Sequence, residues 1–560
     1  MRIELLIGLV AALLFMPFLG AVHLFDWDEI NFAECAREMV ASGNYGQVQM
    51  NFLPFWEKPP LFFWMQAASM HIFGVGDFAA RFPNAICGMA TLVYLYYIGA
   101  RLRGPNFGLL WVLMYAGSLL PHFYFHSGLI DPWFNLFIFA ALHNFVLYAW
   151  AKRITWQSPA DGKRWQYLAK CGLLLGLAII TKGPVALLIV GLVGFAYWVV
   201  VRFRLYFSFG ALLSVLLWCA GVLGLWLGYE LVVHGPYVVQ EFLIYNVRLF
   251  STPDAGHGGF PGYHLVVLLV GCFPASLFFI RSFWPIDDER SYLTDYTLWL
   301  RILFFVVLVL FSIVQSKIVH YSSLCYFPLT YLAALAATQM MSKKTEVPWY
   351  VHFGIYFFSI VIGLATLAFP WLAAHPEVLK PLLAKDPFAM ANLDATADMH
   401  WLGIEWLVGV WVLGLAIYST YLLRNKRVEH GVLTLLAGTA LSVVFILWAY
   451  IGRIERFSQG AAIDFLESKA AEDCIIIPIG YRTYTHFYYG RLRPANAPPY
   501  SAIEAKQLVP TAWRDSVLNA RLTKPVYVIS KINKTAEVAA YEGLEETGRK
   551  NGFVFYKKVR

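Results

Sequence analysis

Residues 25–61, FDWDEINFAECAREMVASGNYGQVQMNFLPFWEKPPL, hold the densest set of reactive side chains in the chain. Asp26, Asp28, Glu29, Glu34, Arg37, Glu38, Glu57 and Lys58 all fall there, between two strongly apolar segments. A plain connection between helices does not need that charge. Asp28 and Glu29 directly follow the first apolar segment. A carboxylate held at a membrane face, out of bulk water and beside an indole such as Trp27, is shifted toward its protonated form. Such a group is suited to accept a proton from a hydroxyl. Helix capping by Asp26 or Asp28 accounts for either acid equally well. Further on, Glu57-Lys58-Pro59-Pro60 opens the next apolar segment. Two prolines fix the backbone there and hold the ammonium at the interface, where a lipid phosphate is its natural partner. A lysine snorkelling from a helix end is the simpler alternative.

Four further pieces carry similar potential. Thr181-Lys182-Gly183-Pro184 reads as a hairpin between two apolar segments, and a tight turn with a solvated lysine is its plainest account. Ser316 to Tyr321 places Lys317, His320 and Tyr321 together, able to donate several hydrogen bonds to an anion; an aromatic belt explains Tyr321 alone. The stretch NVRLFSTPDAGHGGFPGYH holds Arg248 and His257. His257 is a lone histidine, so a divalent metal is a candidate there and no cofactor is certain. Asp131-Pro132 opens an apolar segment and reads as a capped helix start.

These groups need a frame, and the composition defines it. Of 560 residues, 59% are hydrophobic and only 14% are charged, against about 25% charged in a soluble domain. The class is an α-helical polytopic membrane protein. The net charge of +8 does not argue for nucleic acid, because membrane topology places the basic residues. The cysteines show no metal spacing. Only Cys35 and Cys474 lie outside apolar runs, so at most one disulfide is available. About thirteen apolar segments approach the roughly 20 residues that span a bilayer: 4–22, 80–101, 106–120, 128–150, 167–181, 183–201, 206–228, 262–283, 297–314, 320–340, 350–373, 402–423 and 430–451. The first is too long for a signal h-region and reads as an uncleaved helix.

Lys and Arg bias gives the orientation. With the N-terminus cytoplasmic, the basic clusters around Arg101, Lys152, Arg202, Arg281, Lys343 and Arg424 all fall inside. Asp28, Lys58, Lys182, Arg248 and Lys317 then share the outer face. Sparse cations on the side disfavoured for them suggest one anionic site. Residues 1–452 form the transmembrane domain, with residues 23–79 as its catalytic outer loop. Residues 453–560 are more polar. The runs 475–479, 525–530 and 552–558 read as strands and 461–471 and 513–520 as helices, a small α/β domain outside. Residues 28–43 read as an amphipathic helix on the membrane surface, and 229–262 and 373–401 as long outer loops.

These motifs resemble one family: the bacterial integral-membrane glycosyltransferases of the aminoarabinose-transferase type, relatives of the dolichyl-phosphate-mannose protein mannosyltransferases. The residues that carry the resemblance are Asp28-Glu29, EKPPL (57–61), Asp131-Pro132, TKGP (181–184), the 248–264 loop and SK-x-x-HY (316–321). It covers essentially the whole chain and implies the C-type membrane glycosyltransferase fold with a periplasmic C-terminal domain, in the bacterial inner membrane. It implies a donor sugar on undecaprenyl phosphate or a similar polyprenyl phosphate. The acceptor it implies is lipid A or another envelope glycolipid, on the periplasmic side. Carried over, Asp28 orients or deprotonates the acceptor, with Glu29 beside it. Lys58 and Arg248 hold the phosphate leaving group, with Tyr321, Lys317 and His257 nearby and His320, Lys182 and Asp131 in support. The chain departs from the family's Asp-Glu-Gly-Arg at Ile30-Asn31; the absent arginine removes one phosphate or acceptor contact and leaves the sugar and acceptor open. No nucleotide-binding loop is present, and a lipid-phosphate leaving group needs none. Transfer to a polypeptide, as in protein O-mannosylation, is the alternative. A lipid-linked sugar transporter ranks lower, because the charges cluster at one face and no repeat is visible.

Overall fold

The computed structural model describes residues 2–151, 158–251, 259–284, 291–343, 346–499 and 511–559, without the side chains of 246–251, 343 and 397–398. The apolar helix α1 (Ile3–Phe15) leads into the charged stretch. There α2 (Asp28–Ser42) forms and ends at Gly43, whose φ of 71° is left-handed and whose N–H bonds the Met39 carbonyl. The expectation of α2 as an amphipathic helix on the membrane surface meets a helix that other parts of the protein cover. Every residue from Glu29 to Met39 is buried. The C-terminal part of the chain covers the polar face, and the charges there are paired. Arg37 forks onto Glu34 at 2.6 and 2.7 Å and also donates to the Leu492 carbonyl. Glu38 accepts the N–H groups of Asn51 and Phe52 at 2.6 and 2.7 Å. Those two residues, with φ of 61° and 56°, make the two-residue turn between β1 (Gln49–Met50) and β2 (Leu53–Pro54).

The two prolines after Lys58 start α3 (Leu61–Phe73). Next come α4 (Asp77–Arg103), α5 (Pro105–Ala116), α6 (Leu119–Phe123), α7 (Asp131–Trp150), α8 (Arg164–Lys182) and α9 (Val185–Val200). They are followed by α10 (Phe209–His234), α11 (Pro236–Ser251), α12 (Tyr263–Gly271), α13 (Ala275–Arg281), α14 (Ser291–Ile313), α15 (Tyr326–Lys343) and α16 (Trp349–Ala374). The loop expected over 229–262 is in large part α10 and α11. The one expected over 373–401 contains the short helices Lys380–Leu383 and Pro387–Asp394.

Eight helices among the described residues are long and apolar enough to cross a membrane, and ten if each of two bent pairs counts as one span. The pairs turn by 81° between α5 and Leu119–His126, at Gly117-Ser118, and by 113° between α12 and α13, at Pro274. The thirteen expected segments all hold helices. The remaining three are α1 and α9, which are short, and α8, which carries Arg164, Lys170 and Lys182. Trp111, Trp150 and Trp299 lie fully buried in the helical core, Trp299 stacked on Tyr197 at 3.9 Å.

The final span does not stop at the membrane. Helix runs without a break over Val428–Lys469, with two wide π-helical stretches at Leu447–Ile451 and Arg456–Gly460. The boundary drawn at residue 453 therefore falls inside a helix. Beyond it, β3 (Ile475–Ile479), β4 (Val526–Lys531), β5 (Leu544–Lys550) and β6 (Phe553–Lys558) form one sheet in the order β3-β4-β6-β5. β3 and β4 are parallel and the other pairs antiparallel. The sequence reading missed β5. Its residues, LEETGRK, lack an apolar alternation because it is an exposed edge strand whose charges discourage further pairing. All seven cysteines are buried thiols, so Cys35 and Cys474 are not bridged.

Candidate functional site

Arg81, on α4, organises the loop that carries Asp28. Its guanidinium is buried. It donates to the carbonyls of Leu19, Val22 and His23 at 3.0, 2.6 and 2.9 Å and forks onto Glu29 at 3.1 and 2.9 Å. All five donors of the guanidinium are therefore used. Glu29 also accepts the N–H groups of Phe25 and Gly128. Burial alone raises its pKa, but the charge and hydrogen bonds of Arg81 and these backbone donors prevail, and it is held below the usual carboxylate range. The expectation of Glu29 as a second reacting carboxylate is corrected on these contacts. Both its oxygens are committed to fixing the loop.

Asp28 is different. Its side chain is 33% exposed, and His320 Nε2 lies 3.6 Å from its Oδ2. The same nitrogen lies 3.9 Å from Asp131 Oδ2, and Asp131 is ion-paired with Lys182. A row thus runs Asp28, His320, Asp131, Lys182, with the imidazole between two carboxylates and the far one ion-paired. Asp131 was read as a helix cap and Lys182 as a solvated turn residue. In the structure no side chain caps α7, and the two residues tie the start of α7 to the end of α8. The ammonium of Lys182 sits 5.2 Å from the centre of the Tyr321 ring. Lys58 lies 5.9 Å from that of Tyr245 and within electrostatic reach of His320.

Lys317 does not present a free ammonium. It donates to the carbonyls of Phe311, Ser312 and Val314 at the end of α14, which uses all three of its protons. This corrects its assignment to a phosphate. The side chain of Arg248 and the whole of His257 lie outside the described residues. Among the described residues, no group of three or more His, Cys, Asp and Glu could hold a metal.

A cavity of about 310 Å³ opens beside Asp28, walled by Phe18, Trp27, His126, His320, Leu447 and Ile451. The C-terminal part of the chain closes over it. Trp27 packs on Tyr484 at 4.7 Å, and Gln459 donates to the Leu24 carbonyl at 2.7 Å. The Leu24 N–H reaches the Tyr489 hydroxyl at 2.6 Å. Asp26 meets Thr483 and the Tyr484 N–H. Burial lifts its pKa to about 6 against the pull of those hydrogen bonds and of Lys531, with the charge of Asp28 adding to the rise. Sequence reasoning missed Arg81, Gln459 and Tyr484. Arg81 had one signal, an arginine near the start of a membrane span, where an unpaired charge is costly.

The family model for dolichyl-phosphate-mannose-protein mannosyltransferases matches residues 57–226. A relative from Edwardsiella ictaluri, named undecaprenyl phosphate-alpha-4-amino-4-deoxy-L-arabinose arabinosyl transferase, is 30% identical over 67% of this chain and 68% of its own. A protein of the same name from Shewanella sediminis is 24% identical over 85% of this chain and 82% of its own. The crystal structure of ArnT from Cupriavidus metallidurans bound to undecaprenyl phosphate superposes with a TM-score of 0.75. It is 20% identical and covers 99% of this chain and 98% of that one.

Two outcomes follow from this geometry. Arg81→Lys keeps the charge and loses the fork, so the protein in detergent is expected to unfold at a lower temperature. The loss approaches the 3–5 kcal/mol of a broken buried pair, and a melting curve equal to wild type would refute it. The folded chain holds the Asp26 proton more tightly than the unfolded chain does. That contribution is complete below the ordinary value of 3.8 and is lost as pH rises through about 6. Asp26→Asn should therefore be more stable than wild type above pH 6, by at most about 3 kcal/mol. The two should converge toward pH 4 in melting curves taken across that range.

Proposed function

The chain belongs to the family of undecaprenyl phosphate-aminoarabinose arabinosyl transferases, and on that premise we propose that Asp28 is the group that activates the acceptor. The protein is a multi-pass membrane glycosyltransferase that takes its sugar from a polyprenyl-phosphate donor. The acceptor hydroxyl attacks the anomeric carbon, and the bond from that carbon to the phosphate oxygen breaks. The electron pair leaves with the phosphate, and the hydroxyl proton passes to Asp28. One observation carries this assignment: of the three acids lining the 310 Å³ cavity, Asp28 is 33% exposed, while Glu29 is consumed by Arg81 and Asp26 is hydrogen-bonded to Thr483 and the Tyr484 N–H.

His320 lies between Asp28 and Asp131, its Nε2 3.6 and 3.9 Å from their carboxylates. Lys182 fixes Asp131 and thereby the far side of the imidazole. Lys58 is the first cation for the departing phosphate, and Arg248 and Tyr321 are assigned to the same phosphate by the family resemblance. Fixed cations act where the phosphate charge develops, at roughly a hundred- to thousandfold in rate for each preorganised donor. Lipid A or another envelope glycolipid is the acceptor we favour, in keeping with relatives named as undecaprenyl phosphate-aminoarabinose arabinosyl transferases. Transfer to a polypeptide is the second reading, favoured by the mannosyltransferase model over residues 57–226.

The test compares envelope glycolipids and glycoproteins by mass spectrometry from cells with the wild-type chain, no chain, Asp28→Asn or Lys58→Ala. A sugar lost in the deletion and in Asp28→Asn identifies donor and acceptor together. Retention in Asp28→Asn with loss in the deletion rejects the base assignment. Lys58→Ala should weaken donor binding roughly tenfold to hundredfold, the worth of a hydrogen bond to a charged group.

We also read thirteen spans, the N-terminus cytoplasmic and residues 453–560 as a periplasmic domain, supported by the bias of basic residues toward one set of loops. Alkaline phosphatase fused after Lys558 should be active in this topology. Activity only for a fusion after Arg103 would invert it.

A further inference from the structure

We propose that the groove between α4 and α8, at the end of these helices remote from Asp28, binds an anionic phospholipid of the leaflet opposite the catalytic face. α3 explains why the groove exists. It is only 13 residues long, and both its ends lie on the Asp28 side. One end follows Lys58, and the other, Phe73, stands four residues before Asp77, whose carboxylate meets the Tyr489 hydroxyl. It packs on α4 and α8 there and does not descend between them. Below it, α7 is the floor of an open cavity of about 620 Å³.

The cavity's chemistry is graded like that of a lipid. Its walls are largely apolar, with Ala90, Ile98, Leu136 and Leu174 among them. Its rim carries Arg101 and Lys170, with Lys163 and Arg164 exposed where α8 begins. The lining runs from Leu136 to Leu147 on α7, about 16 Å at 1.5 Å per residue. That is close to half of the roughly 30 Å hydrocarbon core, the depth of one leaflet. His143 and Asn144 are buried polar side chains that line it at mid-depth. The His143 ring meets the Tyr296 hydroxyl at 3.1 Å, and Asn144 donates to the Ala140 carbonyl at 2.8 Å. Polar side chains inside a span that face a cavity mark a binding site rather than packing.

Charge selects the headgroup. The one carboxylate at the rim, Asp161, is 72% exposed and pairs with Arg101 at 2.5 Å. An exposed pair of this kind contributes little, so a phosphodiester can replace Asp161 on the guanidinium in bidentate geometry while Lys170 adds a second cation. A soluble anion would leave the apolar walls unfilled, and an acyl chain fills them. The site stands about 24 Å along α7 from Asp131, counted to Leu147, and does not depend on the reaction assigned to Asp28.

The full-length protein purified in neutral detergent is titrated with phosphatidylglycerol, phosphatidylcholine and glycerol phosphate, and bound species are read by native mass spectrometry. Phosphatidylglycerol is expected to persist as a one-to-one adduct, phosphatidylcholine to bind at least tenfold more weakly, and glycerol phosphate not to bind. The double variant R101Q/K170Q should weaken phosphatidylglycerol about tenfold or more, a loss expected of two charge-assisted contacts. Ala140→Trp fills the groove and should abolish the adduct. If that variant does not fold, R101Q/K170Q decides alone. Equal retention of the two phospholipids, unaltered binding in the double variant, or binding of glycerol phosphate as tight as the lipid would each overturn the proposal.

Discussion

A single buried guanidinium holds the Asp28 end of this protein together. Arg81 takes three backbone carbonyls of residues 19–23 and both oxygens of Glu29. A buried charge without partners would cost several kcal/mol, and a charge with every donor used does not. The first span therefore cannot slide relative to α4, and the start of α2 is fixed to both. Asp28 is the next residue along the chain from this anchor, on the side that stays open. The fixed acid and the open acid are adjacent in sequence because one holds the position in which the other is presented.

From there the site is assembled from helix ends. Asp28, His320, Asp131 and Lys182 come from the α2 start, the turn before α15, the α7 start and the α8 end. Each end brings one polar group, so no single element could hold the row. Low dielectric strengthens each contact and penalises each missing one. This makes the helix ends mutually dependent and explains why a turn as short as TKGP carries a lysine that is not solvated.

The C-terminal sheet enters through the same loop. Because helix continues over Val428–Lys469, the sheet is carried on a rigid extension of the last span rather than on a linker. Gln459, Thr483, Tyr484 and Tyr489 reach Leu24, Asp26 and Trp27 from it. The polar face of α2 is buried by the same contact, so a helix with a surface pattern lies in an interior. The wide π turns in the extension sit at this junction, as such turns often do at functional sites.

The sequence by itself determined the class, the positions of the helical segments, the strands β3, β4 and β6, and the concentration of reactive groups on one face. These follow from local periodicity and from the cost of charge in hydrocarbon, which every residue feels wherever its partners are. It did not separate Asp28 from Glu29, because both are acids at a helix start and only Arg81, 52 residues away, distinguishes them. Nor did it tell a phosphate-binding lysine from one like Lys317, whose protons end on the carbonyls of its own helix end. The burial of α2 was likewise decided by packing, because its pattern sets an amphipathic helix but only its neighbours set where it lies. Tertiary structure chose which of several equivalent charges stay open, since a charge is spent or kept according to what the fold brings against it.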